Sequence, residues 1–224
     1  MGAAGTPTST GPDDKRVLRA GVRSARRALD DGERSALDAA LAAAGLGPGS
    51  PLAALPAGSV VALYDSLPTE PGTRGLRAAL AARGVVVVLP VVTGPDAPLA
   101  WRLDDGEGAH RPEGVDDATV VLLPALAVDG AGTRLGQGGG HYDRTLALLP
   151  PSRSALSAES ALRDPLGTAL SVKSAVGQGR GRGRPLLVAV VRDLELLPAG
   201  ALPREAHDVP VEAALTPSGW HDLR

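Results

Sequence analysis

The stretch RLGQGGGHYDR, from Arg134 to Arg144, puts four glycines into five consecutive positions and follows them at once with His141, Tyr142, Asp143 and Arg144. A glycine held in a regular element costs roughly 0.5–1 kcal/mol relative to alanine, so the set would take on the order of 2–4 kcal/mol from any helix or strand containing it. The segment is therefore expected to be a loop. A glycine-rich loop that enters a helix lets backbone N–H groups converge on an anion, and the helix start adds positive potential. Arg134 before the glycines can clamp phosphate oxygens, and Asp143 after them can hold the magnesium ion that accompanies phosphates. The standard phosphate fingerprints fail, however. The P-loop needs Gly-Lys-Ser/Thr where this chain has Gly140-His141-Tyr142, and a dinucleotide pattern begun at Gly136 and Gly138 puts His141 at the third glycine. A glycine run alone equally fits a flexible surface turn, so the weight rests on Arg134, Asp143 and Arg144.

The surrounding elements read as an α/β alternation. Asp13 and Asp14 can cap a helix to about Leu29, with Leu18, Val22, Ala25 and Leu29 as its apolar stripe. Beside that stripe Lys15, Arg19, Arg23 and Arg26 recur at helical spacing and form a basic edge. ERSALDAALAAAG reads as a second helix stopped by Gly45. SVVALY, VVVVLPVV, APLAWRL, ATVVLLP, PLLVAVV and VPVEAAL read as strands, with helices at PGTRGLRAALAARG and HYDRTLALL. Short, continuously apolar, Val-rich strands separated by helices argue for a mostly parallel central sheet flanked by helices, a Rossmann-like three-layer α/β architecture. In such sheets ligands sit at the carboxyl ends of strands, and the glycine loop follows TVVLLP.

Composition sets the limits. The 224 residues carry a formal net charge of −2, so the global basic excess of a nucleic-acid coat is missing. Phenylalanine is absent, which leaves the core to Leu, Val and Ala. With no cysteine, disulfides and thiolate metal sites are excluded. The apolar runs are far shorter than a membrane span, and MGAAGTPTSTGPDDKR lacks the apolar centre of a signal peptide, so a cytoplasmic protein is expected. Residues 1–12 are expected to be a disordered tail and 13–224 a single domain, interrupted at about 151–184 by a flexible Ser/Gly/Arg-rich insertion.

Four ordered blocks carry a resemblance. LLPALAVDGAGTRLGQGGGHYDRTL is similar to the signature of the 5-formyltetrahydrofolate cyclo-ligase (5,10-methenyltetrahydrofolate synthetase) family, KRVLR to its amino-terminal helix, YDSLPTE to its folate-binding segment, and REAHDVPVEAALTPSG to its carboxyl-terminal element. The resemblance implies ATP- and Mg2+-dependent cyclisation of 5-formyltetrahydrofolate to 5,10-methenyltetrahydrofolate, releasing ADP and phosphate. It assigns Lys15, Arg16, Arg19, Arg134, Leu135, Gly136, Gln137, Gly138, Gly139, Gly140, His141 and Tyr142 to ATP. Arg19, Asp65, Glu70, Gln137 and Tyr142 fall to the folate, Asp143 and Asp208 to magnesium, and Arg134 with Asp143 to catalysis. The partners implied are a folate and ATP, with a monomeric state expected and no membrane or nucleic acid. Residue by residue, plainer readings stay open: a solvated basic edge for Lys15, surface or capping roles for Asp143, Asp208 and Glu70, and core positions for Tyr64 and Tyr142.

The chain departs from the family pattern in places. His141 stands where an aromatic is usual; both it and His207 are left out of the metal set because magnesium prefers oxygen ligands. GAHRPEGV matches only loosely, Glu212 replaces an Asp, Arg192 falls where an aromatic is expected, and the insertion is long. Two other readings remain open. One is a related ATP-using enzyme acting on another pterin or thiamine-like substrate, or an inactive relative; the other is an RNA tether at Arg180, Arg182 and Arg184, although no aromatics interleave there.

Overall fold

A computed structural model describes residues 12–107, 109, 115–149, 184–205 and 208–223. Residues 1–11 of the expected tail, nearly all of the expected insertion with Arg180 and Arg182, most of GAHRPEGV, and His207 lie outside the described residues.

Helix α1 (Pro12–Ala28) begins earlier than expected, so Asp13 and Asp14 fall inside its first turn and not at its cap. Helix α2 (Asp31–Gly45) opens with a capping box, Asp30 accepting from Glu33 N at 2.8 Å while the Glu33 carboxylate accepts from Asp30 N at 2.9 Å. There follow β1 (Val60–Ala62), α3 (Arg74–Ala82), β2 (Val86–Val91), β3 (Ala100–Leu103), β4 (Val120–Pro124), β5 (Ala127–Asp129), β6 (Arg134–Leu135), α4 (His141–Leu146), β7 (Leu186–Val190), β8 (Leu196–Leu197), β9 (Ala213–Thr216) and β10 (Gly219–Asp222).

The main sheet has seven strands in the order β10-β9-β7-β4-β1-β2-β3. Pairing is parallel from β9 to β2, and only the edge strands β10 and β3 run antiparallel. Apolar side chains fill both faces, as a parallel sheet covered on both sides requires. On one face Leu41 of α2 and Leu76 and Leu80 of α3 pack on Val61, Val87, Leu122 and Val188. On the other, Leu146 and Leu149 pack on Ala62, Val121, Leu123 and Ala189. Each fully buried Leu contributes roughly 1.5–3 kcal/mol, which is how a core without phenylalanine holds together. The two tryptophans stand on opposite edges: Trp101 of β3 is 3% exposed and pairs across from Pro90, whereas Trp220 of β10 is half-buried against the other cluster.

A second sheet, β6-β5-β8, was not foreseen. It corrects one expectation: the glycine loop follows β6, not the main-sheet strand TVVLLP directly. The strand expected at VPVEAAL likewise starts only at Ala213. Leu18 and Val22 of α1 dock on the small sheet against Leu126, Leu135 and Leu202, confirming those members of the apolar stripe. The Asp129 carboxylate holds the small sheet's loops, accepting from the backbone N–H of Ala131 and Thr133 on one oxygen and of Gly200 and Leu202 on the other. Gly132 is required where it stands, because its φ is +78° and a Cβ there would lie 2.2 Å from Val211 O.

Two buried arginines mark the carboxyl end of the sheet. Arg26 does not stay on the basic edge. Only 1% exposed, it donates from Nε and Nη2 to the Glu195 carboxylate at 2.7 Å each and from Nη2 to Ala125 O at 2.6 Å. Arg192, 8% exposed, has no partner on any guanidinium nitrogen among the described residues; burial pulls its pKa down, with Glu195 opposing. An unpaired buried cation is a liability, so Arg192→Met is expected to raise stability by about 1 kcal/mol or more, read as a higher urea midpoint at unchanged slope. An unchanged or lower midpoint would show that Arg192 is paired in solution.

Candidate active site

The glycine loop, residues 136–140, connects β6 to α4, and Gly140 caps that helix in the left-handed region at φ +67°. That positive φ is what favours glycine at the bend, since the nearest atoms to an added Cβ belong to the movable end of Arg144. Helix α1 lies over the loop. Arg19 donates from Nε to Gly136 O at 3.0 Å, and one turn on Arg23 donates from Nη2 to Gln137 O at 3.0 Å. The expected basic edge thus grips successive carbonyls of the loop, with its last member, Arg26, pinning the helix from inside the core.

Two cavities flank the loop. The first, about 320 Å3, is mainly apolar; Leu67, Glu70, Val92, Leu99, Gln137 and Tyr142 are among its lining residues. The second, about 240 Å3, is mainly polar and lined by Lys15, Arg19, Leu135, Glu205 and Asp208. Arg134, Asp143, Gly136, Gly138 and Gly140 border both.

The Arg134–Asp143 pair therefore stands in the wall between them, with Arg134 Nη2 at 2.5 Å from Asp143 Oδ1. The Arg134 side chain is 5% exposed, and among the described residues its Nη1 is buried without an acceptor. Leaving such a donor unsatisfied costs roughly 1–3 kcal/mol, so the position is poised for an anionic ligand. Its Cζ lies 6.0 Å from the centre of the Tyr142 ring, within cation–π range. Burial, and then Glu70, push the Tyr142 hydroxyl well above its usual pKa against the pull of Arg134, so it stays protonated.

In the polar cavity Lys15 Nζ lies 2.8 Å from Glu205 Oε1 and 3.4 Å from Asp208 Oδ2. Burial works to lower the Lys15 pKa, but Glu205 and Asp208 outweigh it and the net shift is upward, so the side chain stays an ammonium. Asp143 and Asp208, on separate elements, border this one cavity. Among the described residues no group of three or more His, Cys, Asp or Glu is arranged to hold a metal ion. Two carboxylates facing a phosphate-sized polar cavity still fit magnesium, which takes one or two carboxylates and completes its shell with phosphate oxygens and water. His141 borders the apolar cavity and not the polar one, and its Nδ1 lies 3.2 Å from Arg144 Nη2.

In the apolar cavity Glu70 is 6% exposed, with Oε2 accepting from Leu67 N at 3.0 Å and Oε1 from Gln137 Nε2 at 3.3 Å. It does not cap α3, whose cap position is Thr73. Tyr64 is a core residue, 2% exposed, its hydroxyl donating to Pro71 O at 2.7 Å, so it offers the cavity only an edge. Asp65 sits exposed at the rim, paired with Arg77 at 2.8 Å. Arg16 is exposed and borders neither cavity.

The sequence reading left Arg23 and Glu205 out of the site, along with the apolar lining residues Leu67, Val92 and Leu99. Arg23 had a signal in its four-residue spacing from Arg19, whereas Glu205 had none beyond its nearness to Asp208.

The model of the 5-formyltetrahydrofolate cyclo-ligase family matches residues 12–173. A 5-formyltetrahydrofolate cyclo-ligase of Mycolicibacterium smegmatis is 31% identical over 92% of this chain and 95% of its own length. Among solved structures, a 5,10-methenyltetrahydrofolate synthetase from Mycoplasma pneumoniae superposes with a TM-score of 0.64 at 19% identity, covering 91% of this chain and 99% of its own. The corresponding synthetase from Aquifex aeolicus gives a TM-score of 0.62 at 23% identity, covering 94% and 93%. These structures share the three-layer α/β fold. Among the described residues no helix is long and apolar enough to cross a membrane.

Proposed function

The chain belongs to the 5-formyltetrahydrofolate cyclo-ligase family, and from that premise we propose that it uses ATP and Mg2+ to close 5-formyltetrahydrofolate into 5,10-methenyltetrahydrofolate. The observation that carries the reading is the shared wall: an apolar cavity and a polar cavity meet at Arg134, whose buried Nη1 has no acceptor among the described residues. The reaction needs such a junction. The N5-formyl group is an unreactive amide, and its oxygen must become a leaving group before N10 can close the ring. The formyl oxygen attacks the γ-phosphorus of ATP, and the bond to ADP breaks. N10 then attacks the formyl carbon, the C–O bond to phosphate breaks, and the N10 proton is lost.

The task for the protein is positioning and charge neutralisation. The apolar cavity takes the folate, with Tyr142 and the Glu70–Gln137 pair fixing its orientation. The polar cavity takes the phosphates, which Lys15, Arg19 and the loop amides neutralise. Arg134 serves the oxygen at the boundary, held by Asp143. Asp143 and Asp208 would hold magnesium, which when bound neutralises phosphate charge.

The test mixes the protein with 5-formyltetrahydrofolate, ATP and Mg2+ and follows the near-ultraviolet absorbance of the methenyl product. Product should require both ATP and Mg2+, and Asp143→Ala should slow its formation by about 10²-fold or more. Folded protein that binds ATP but makes no product would overturn the reading and direct attention to another pterin.

A further inference from the structure

Glu70 is gripped from both sides, and the grip on its Oε1 is controlled from another element. The Gln137 amide bridges Glu70 to α1 by hydrogen bonds: Nε2 donates to Glu70 Oε1 at 3.3 Å, while Oε1 accepts from Arg23 Nη2 at 2.9 Å and Nε at 3.2 Å. An amide has one accepting and one donating end, so whatever holds its oxygen decides where its N–H points. Arg23 holds that oxygen through two guanidinium nitrogens and the Gln137 carbonyl through Nη2, so the amide cannot flip without breaking several bonds. Leu67 N fixes the other carboxylate oxygen of Glu70.

We infer that Arg23 is a positioning residue for folate binding, acting through the Gln137 amide to orient the Glu70 carboxylate in the apolar cavity. This rests on the proposed role of Glu70 as a folate contact. It separates Arg23 from its neighbours on α1, because Lys15 and Arg19 border the polar cavity and Arg23 borders neither. The same bonds tie the helix over the phosphate side to the carboxylate on the folate side, so a side chain on α1 tunes the affinity for the substrate that α1 does not face.

The experiment measures KM for 5-formyltetrahydrofolate and for ATP separately in Arg23→Ala, Arg23→Lys, Glu70→Gln and the double variant Arg23→Ala/Glu70→Gln, with a thermal melt of each. Arg23→Ala should raise the folate KM about tenfold, the size of one lost charge-assisted hydrogen bond, and move the ATP KM much less. Arg23→Lys should recover part of the loss, since an ammonium can still donate to the amide oxygen. In the Glu70→Gln background, Arg23→Ala should add little, because the carboxylate it orients is gone. A rise in the ATP KM alone, or effects that add fully in the double variant, would overturn the inference. If Glu70→Gln raises the folate KM and Arg23→Ala does not, the inference falls and the folate reading stands. If Glu70→Gln leaves that KM unchanged, both fall.

Discussion

Arg134→Lys is expected to lower kcat by about 10²-fold or more, a loss of roughly 3 kcal/mol of transition-state stabilisation, while ATP affinity should change only a few-fold. The reason is geometric. Arg134 spends Nη2 on Asp143 and keeps Nη1 buried and unsatisfied beside the boundary of the two cavities. A guanidinium can do both because its donors sit in a rigid fork, whereas an ammonium is a point charge on a flexible stem. Lysine therefore keeps the charge and loses either the Asp143 anchor or the reach to the boundary between the cavities. Single-turnover formation of the methenyl product at saturating folate and ATP measures the step directly. If only KM moved, Arg134 would be a binding residue whose contact is equal in ground and transition states.

Arg26→Ala costs about 3–5 kcal/mol of folding free energy, a large share of the 5–15 kcal/mol typical of a domain. The loss comes less from the ion pair than from what remains: Glu195, 7% exposed, would be left as a buried carboxylate stripped of the guanidinium that takes both its oxygens, with the Arg192 N–H still donating to Oε2. Chemical denaturation should show the drop as a lower midpoint. Arg26→Met combined with Glu195→Gln removes both charges and should recover most of it, because glutamine can still accept from Arg192 N. If the double variant is no better than Arg26→Ala, the loss lies in helix packing and not in the stranded charge. Function should follow stability, since the same helix carries Lys15 and Arg19 to the polar cavity.

These two arginines show what could be read from the chain and what could not. The glycine loop, the flanking Arg134 and Asp143, and the parallel Val-rich strands all announce themselves within short windows. Periodicity also placed Leu18 and Val22 on the buried side of α1. It could not separate Arg26 from Arg23, because the partner that draws Arg26 inside, Glu195, lies 169 residues away. The small sheet escaped for a different reason. Its strands are two or three residues long, and Ala127–Asp129, Arg134–Leu135 and Leu196–Leu197 are too short to show a period of two. Strand β10 escaped because GWHD has no apolar alternation and forms as an edge hairpin with β9. Asp129 sits inside the motif, and nothing in the sequence shows that both its oxygens are taken by backbone amides. Glu205 shows the converse: it lies inside the quoted REAHDVPVEAALTPSG block without standing out there, yet it borders the polar cavity and bonds to Lys15 across 190 residues.

The placement of the two indoles makes the molecule its own optical probe. Trp101 and Trp220 sit on opposite edges of the main sheet and belong to opposite core clusters. Trp101 shares its cluster with Leu99 and Tyr142, which line the apolar cavity, and is almost sealed from water. Its fluorescence should lie to the blue of Trp220 and be quenched by energy transfer when a near-ultraviolet-absorbing pterin enters the cavity. A Trp220→Tyr variant would isolate that signal and follow folate occupancy in real time without any attached dye, while Trp101→Tyr would leave the far edge to report on unfolding.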